Sequence, residues 1–453
     1  MTAAVVLGSN ADALVAAHAL TRAGRPVMVI EEYRSPPRDY GWVSPALAKG
    51  LAGLLIDHAD PWLTIALPDG GKLELWRDMA RSVEAIRRMS PHDAERWPEF
   101  SERMAKLARL LETIYLAPPP GITDFGFALK VRRLGRLGME DLMRLLPMPV
   151  AEWLDDWFES DALKGALGAL GIRDLQQGPR SAGTAFRLLH HHVGSPPGVF
   201  RAPRSNLSRV LRQGMDVRSG KAARILIRAG KVYGVALEDG QEVPAAVVVS
   251  AAGVRRSLLD LVEPGWLDPD LAREVRNVRS RGVAAKIELA TLGAANSSTL
   301  VFAPSLDYLE RAYDHAKYGE ISAAPFAEAA DGEAHLQFAP YRLRDGAWDD
   351  SRRQALSEKA AQLLEPYLGA VQIRGVLAPP DLEAKYGWPH GQAHDAELSL
   401  DQALWMRPVP ELAGYRTPIE GLWLCGAGMH PGGAIPGASG YNCVKRILST
   451  LKS

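Results

Sequence analysis

The stretch GLWLCGAGMHPGGAIPGASGYNCVKR at 421–446 constrains the fold more than any other part of the chain. Leu422, Trp423, Leu424 and Cys425 form a short apolar run of the kind that fills a buried strand. The run passes directly into a turn carrying Gly426, Gly428, Gly432, Gly433, Gly437 and Gly440. Glycine removes the side chain where a backbone must approach something closely. The helix that follows presents its first, unpaired amides to whatever occupies the turn, which favours an anion or an electron-rich ring. Glycine-dense turns also occur in folds without a cofactor, so the pattern alone leaves both readings open.

The other end of the chain carries a second glycine turn. Residues 3–32 read as strand, turn, helix and strand, in the order AAVVLG, SNADALVAAHALTRAG and RPVMVIEE. Gly24 stands where a helix C-cap belongs, and 27–30 is an apolar run suited to a parallel strand covered on both faces. A dinucleotide fingerprint needs glycine for the tight turn, glycine again for close approach of a diphosphate, and a small third residue for helix packing. Gly8, Asn10 and Ala13 hold those places. Asn10 puts a side chain where the phosphate comes closest, yet asparagine tolerates left-handed backbone angles, so the turn itself survives. Glu31, at the end of the second strand, stands where a carboxylate accepts hydrogen bonds from a ribose. The alternative is that Glu31 and Glu32 are solvated charges at a strand end.

Composition excludes several classes. The 53 basic and 53 acidic side chains cancel, and no long run of one sign occurs, so nucleic acid is not an expected partner. Basic residues cluster only locally, at Lys130, Arg132, Arg133 and Arg136. Cys425 and Cys443 are the only cysteines, which gives neither a disulfide framework nor a cysteine metal site and fits a reducing compartment. No charged leader precedes the first strand and no run of about 18 apolar residues occurs, so the expectation is a cytoplasmic protein. No G-x-S-x-G elbow supports a hydrolase.

Between the two turns the pattern changes twice. From 76 to 192 it is helical, with breaks at Pro118–Pro120 and Pro196–Pro197. Strands return at 216–252, with a hairpin at Ala229 and Gly230, and 286–376 mixes short strands with a helix near 352–364. His190, His191 and His192 are adjacent and point different ways on a regular element, so no metal site is expected there. The segment 127–149 carries basic residues with Leu and Met at helical spacing, a pattern that serves core packing or peripheral membrane contact.

The order of residues at 421–446 resembles the C-terminal flavin-contacting segment of FAD-dependent oxidoreductases of the phytoene-desaturase and carotenoid-isomerase type. The stretch 386–426 resembles the branch named pyridine nucleotide-disulfide oxidoreductase domain-containing proteins. The match lies in Gly391, Glu397, the run Leu400-Asp401-Gln402, the pair Arg407-Pro408 and the turn Tyr415-Arg416-Thr417-Pro418. The resemblance implies an α/β fold: a FAD-binding, Rossmann-like three-layer domain built from 1–75, 198–265 and 405–453, a helical cap at 76–197, and an α+β substrate domain with an antiparallel sheet at 266–404. It implies FAD as cofactor and removal of hydride from a small, largely apolar or amine-containing organic substrate.

The same resemblance assigns places to individual residues. Gly8, Asn10 and Ala13 would form the diphosphate turn, Glu31 would meet the ribose and the Ala222 backbone the adenine. Gly426, Gly428, Gly432 and Gly433 would meet the ribityl chain and ring. His430, before Pro431, stands beside the ring or satisfies local backbone groups; His190, His191 and His192 pack at the junction of cap and core, with His191 the candidate among them to line the substrate cavity. Two departures are plain. No glycine pair follows Glu31, and Arg204, Ser205, Asn206 and Leu207 replace a Gly-Gly-Met-Gly turn. They motivate a second reading, a cofactor-poor, non-enzymatic relative acting as a binding or protein-interaction module.

Overall fold

The computed structural model describes residues 4–36, 39–119, 132–201, 203–290 and 298–450. Lys130 and the part of the 127–149 segment up to residue 131 therefore lie outside the described residues, as does Pro120. The architecture is the expected α/β fold, built on a five-stranded parallel sheet. Its strands run in the order Leu422–Leu424, Val247–Ser250, Ala4–Leu7, Val27–Glu31 and Val217–Ser219. Register pairs Ala4 with Val27 on one side and with Val247 on the other. All four residues of Ala4–Leu7 and of Val247–Ser250 are buried, as continuous apolar strands require when both faces are covered.

One face is covered by two helices. Ala11–Arg22 follows the first strand, and its N-cap Asn10 accepts a hydrogen bond from the Ala13 amide. Ala438–Thr450 follows the last strand and packs on it so closely that a Cβ on Gly440 would stand 1.9 Å from the Asp12 carbonyl oxygen. On the other face an antiparallel meander, Ala222–Arg228, Lys231–Leu237 and Glu242–Pro244, sends Val232, Val235 and Val243 into the core of the parallel sheet. Its first turn is the hairpin at Ala229 and Gly230, both at positive φ.

A seven-stranded mixed sheet forms the second half. Its order is Ile373–Leu377, Ala284–Leu289, Glu333–Gln337, Ala327–Ala330, Thr299–Phe302, Leu63–Ala66 and Lys72–Leu75. The pairings are antiparallel except for Leu63–Ala66 beside Thr299–Phe302. The segment 1–75 thus supplies strands to both sheets, because Leu63–Ala66 and Lys72–Leu75 pair here and not with the parallel sheet. Asp350–Leu368 covers one side, burying Leu356, Ala360 and Leu364 against the sheet.

Helices between 79 and 192 stand over the junction of the two sheets, among them Pro91–Tyr115, Asp161–Ile172 and Thr184–His192. They share a core with the second sheet, centred on Trp97, Phe100, Phe158 and Phe200, where the Phe100 and Phe158 ring centroids lie 4.9 Å apart. The helix Gly135–Leu145 leaves Leu137, Met139 and Met143 exposed. Among the described residues no helix is long and apolar enough to cross a membrane.

Candidate functional site

The parallel sheet reverses its order of connection at Ala4–Leu7, whose chain neighbours in the sheet lie on one side and whose distant partner Val247–Ser250 lies on the other. Ligands of open α/β sheets settle in the crevice outside the carboxyl ends of strands at such a point. A cavity of about 360 Å³ opens there. It runs from the turn of Gly8, Ser9 and Asn10 to Gly432 and Gly433, and its further wall is the second sheet with Lys286, Glu328 and His335.

At the first end, Gly8 takes φ +104° and its amide donates to the Ile30 carbonyl, 2.9 Å away. Glu31 is buried and absent from the cavity wall, because its carboxylate is held from within the protein. Ser9 Oγ donates to it at 2.7 Å, and both terminal nitrogens of Arg212 donate as well. The hydrogen bond from Arg212 holds this carboxyl below its usual range. The acid that faces the cavity is Glu32, which receives Arg256 Nη2 at 2.7 Å. The same nitrogen donates to the Ala222 carbonyl at 3.2 Å, and Ala222 lines the cavity while Ala13 does not.

In the middle, Asn10 bridges two strand ends. Its Oδ1 accepts from the Ala13 amide at 3.0 Å and its Nδ2 donates to the Ala251 carbonyl at 3.3 Å. Asp12 turns its carboxyl to the start of the last helix, accepting from the Ser439 amide at 3.1 Å and the Gly440 amide at 3.3 Å. Asp395 reaches over from the 389–399 segment and accepts from the Gly428 amide at 3.2 Å. Burial raises Asp12 to about 7 and Asp395 to about 6. Both line the cavity; Gly426 and Gly428 stand behind Asp395, with Ala427 between them at the wall.

The far end is built around Gly433. A Cβ there would stand 1.8 Å from His394 Nδ1, so backbone and imidazole are in direct contact. His190 fixes the turn, its Nε2 donating to the Gly433 carbonyl at 2.7 Å while Nδ1 accepts from the Tyr115 hydroxyl at 2.8 Å. The three adjacent histidines point three ways: His190 to the turn, His191 to the cavity with Nε2 unpartnered, His192 against the Phe200 ring, 4.6 Å between centroids. No cluster that would hold a metal ion occurs among the described residues. His430 is wholly buried and off the cavity wall, its Nε2 donating to the Ile114 carbonyl at 3.3 Å, and burial lowers it to about 4.

Several residues of this site were not singled out for it from the sequence: Asp12, Glu32, His394, Asp395 and the polar group beyond them. In that group Arg173 Nε donates to Glu328 at 2.8 Å and Arg201 to the same oxygen at 3.3 Å. Burial opposes ionisation of Glu328, but the two guanidiniums outweigh it and hold the carboxyl near 2. Two sequence signals contained part of the set, the opening 3–32 with Asp12 and Glu32 and the stretch 386–426 with His394 and Asp395.

A parallel sheet with its crevice facing a second, mostly antiparallel sheet is consistent with a Rossmann-like FAD-binding domain plus a second domain. No protein-family model matches the chain. It is 27% identical over 446 residues, 84% of this chain and 77% of the relative, to pyridine nucleotide-disulfide oxidoreductase domain-containing protein 2 of Rattus norvegicus. It is 24% identical to the neurosporene-forming phytoene desaturase of Rhodobacter capsulatus, over 84% of this chain and 76% of that one. Its fold matches the cyclohexylamine oxidase of Brevibacterium oxydans over the whole of both chains, with TM-score 0.54 and 13% identity. These relatives and structural neighbours support a FAD-dependent oxidoreductase family of the phytoene-desaturase-like and amine-oxidase-like kind.

Proposed function

We propose that the protein is a FAD-dependent oxidoreductase of desaturase or amine-oxidase type that takes hydride from a small organic substrate. The observation that carries this reading is the one continuous cavity from the Gly8 turn to Gly433, at the carboxyl ends of the parallel strands. The residues along it fit a dinucleotide. The wall is bare backbone at Gly8 and Gly433, and Arg256 Nε and His191 Nε2 are buried with no partner among the described residues. The turn of Gly8 to Ala11 would take the diphosphate, the wall of Ala222 and Arg256 the adenosine, and Gly432 and Gly433 the ring. Bound there, FAD would supply the acceptor for the hydride.

The chain's own part is orientation and exclusion of water. Leu170, Phe200 and Ile435 offer an apolar body to the substrate, and His191, His394 and Glu328 offer polar contacts at its end. That combination supports a largely apolar substrate bearing one polar group, an amine among the choices. Two buried free thiols, Cys425 and Cys443, support a cytoplasmic setting, and the exposed Leu137, Met139 and Met143 support peripheral lipid contact, readable by vesicle co-sedimentation. The reading is tested by the visible absorbance of the purified protein with and without added FAD. A bound-flavin spectrum is expected; a protein that stays colourless and takes up no flavin overturns it in favour of a cofactor-poor binding module.

A further inference from the structure

Where a diphosphate would lie, the cavity is lined by two carboxyl groups and by no uncommitted cation among the described residues. Asp12 sits in the first turn of Ala11–Arg22 and reaches the first amides of Ala438–Thr450. Asp395 spans the crevice itself: Cβ atoms built on Gly253, Gly426 and Gly428 would lie 3.7, 3.4 and 3.1 Å from its side chain, at the ends of two adjacent strands. The basic residues on the cavity wall are spoken for. Arg173 and Arg201 hold Glu328, Arg256 holds Glu32, and Lys286 holds Glu333 at 3.1 Å. A doubly charged diphosphate there would meet two carboxylates, offset among the described residues only by the first amides of Ala11–Arg22. A protonated carboxyl reverses the interaction, because its O–H donates a short, charge-assisted hydrogen bond to a phosphate oxygen.

We propose that Asp12 and Asp395 are ligands of the cofactor's diphosphate and bind it in their protonated form, so that FAD association takes up protons. The inference rests on the flavin reading above. Burial already favours the protonated state of both groups near neutrality, at about 7 and about 6. The titratable groups facing Asp12 are Cys443 on the last helix, Cys425 at its strand end, Tyr415 and Asp395. Burial keeps both thiols and the phenol neutral. Asp395 faces Asp12, Cys425 and Arg407, whose guanidinium is committed to backbone carbonyls. The two carboxyls are therefore the groups in this wall that change charge between pH 6 and 8.

The test is FAD affinity by flavin fluorescence between pH 5.5 and 8.5, with proton uptake measured calorimetrically in buffers of different ionisation enthalpy on the unmodified protein. Above pH 7 the Kd is expected to rise by about tenfold per pH unit for each proton taken up. Asp12→Asn with Asp395→Asn should flatten that slope and bind FAD more tightly than the parent at pH 8. A parent Kd independent of pH with no proton uptake overturns the proposal and leaves the flavin reading standing. Failure of the parent to bind FAD at every pH overturns both.

Discussion

Arg407 lies wholly inside the protein, and among the described residues its guanidinium donates to backbone carbonyls alone. Its acceptors are Glu397 and Gln402 at 3.0 and 3.1 Å, His394 and Ala396 at 3.0 and 3.1 Å, and Ala427 and Met429 in the glycine turn. One side chain thus fastens the segment bearing His394 and Asp395 to the turn behind Gly433. Burial lowers the group to about 9, so it stays charged at neutral pH. Arg407→Met leaves several buried carbonyls without donors and should cost about 3 kcal/mol or more, read by urea denaturation. Gly433 has the opposite sensitivity, since a Cβ there already meets His394 at 1.8 Å. Gly433→Trp should empty the protein of flavin, scored as loss of bound-flavin absorbance with the far-ultraviolet spectrum unchanged. Sequence named Gly433 because its neighbourhood is local. It could not name the contact that makes it sensitive, because His394 arrives from a different loop.

The element that sets the site's width is the pair of helices Ala11–Arg22 and Ala438–Thr450, one from each end of the chain. They meet at Gly440, where the Asp12 carbonyl leaves no room for a methyl group. Gly440→Ala would gain about 1 kcal/mol in helix propensity. The overpacking cost of about 1–3 kcal/mol should exceed it, because the obstructing atom is backbone and cannot rotate away. A lowered midpoint of thermal unfolding is the expected result, together with weaker FAD binding as the helix starts move apart. Both helices are legible in sequence from their apolar spacing and glycine punctuation. Their mutual contact is not, and neither is the pairing of Leu63–Ala66 with Thr299–Phe302, because a short apolar strand carries no mark of which sheet it will join.

Across the whole molecule, pH acts through two opposed sets of buried groups. His190, His191, His192, His335, His394 and His430 are all held below the ordinary histidine value by burial. A lowered folded value means stability present above about 6.5 and lost as pH falls, and His192 and His430, each near 4, account for about 3 kcal/mol apiece. Asp12 has the reverse sign. Its folded value near 7 gives stability present below about 4 and lost as pH rises to 7, about 4 kcal/mol in all. The denaturation midpoint should therefore fall below pH 6.5 as the buried histidines are forced to protonate, and Asp12→Asn should stabilise the protein more at pH 8 than at pH 5. The βαβ opening, the closing strand, turn and helix, and the kind of fold they belong to are all written in the linear order of residues. Periodicity and glycine spacing are properties of neighbouring residues, so a linear reading reaches them. The electrostatics of the cleft come from folding: Arg212 and Ser9 hold Glu31 away from it, Glu32 and Arg256 face it, and Asp12 and Asp395 meet within it. Those interactions join residues far apart in the chain, and burial, which sets their charge, exists only once the chain has folded.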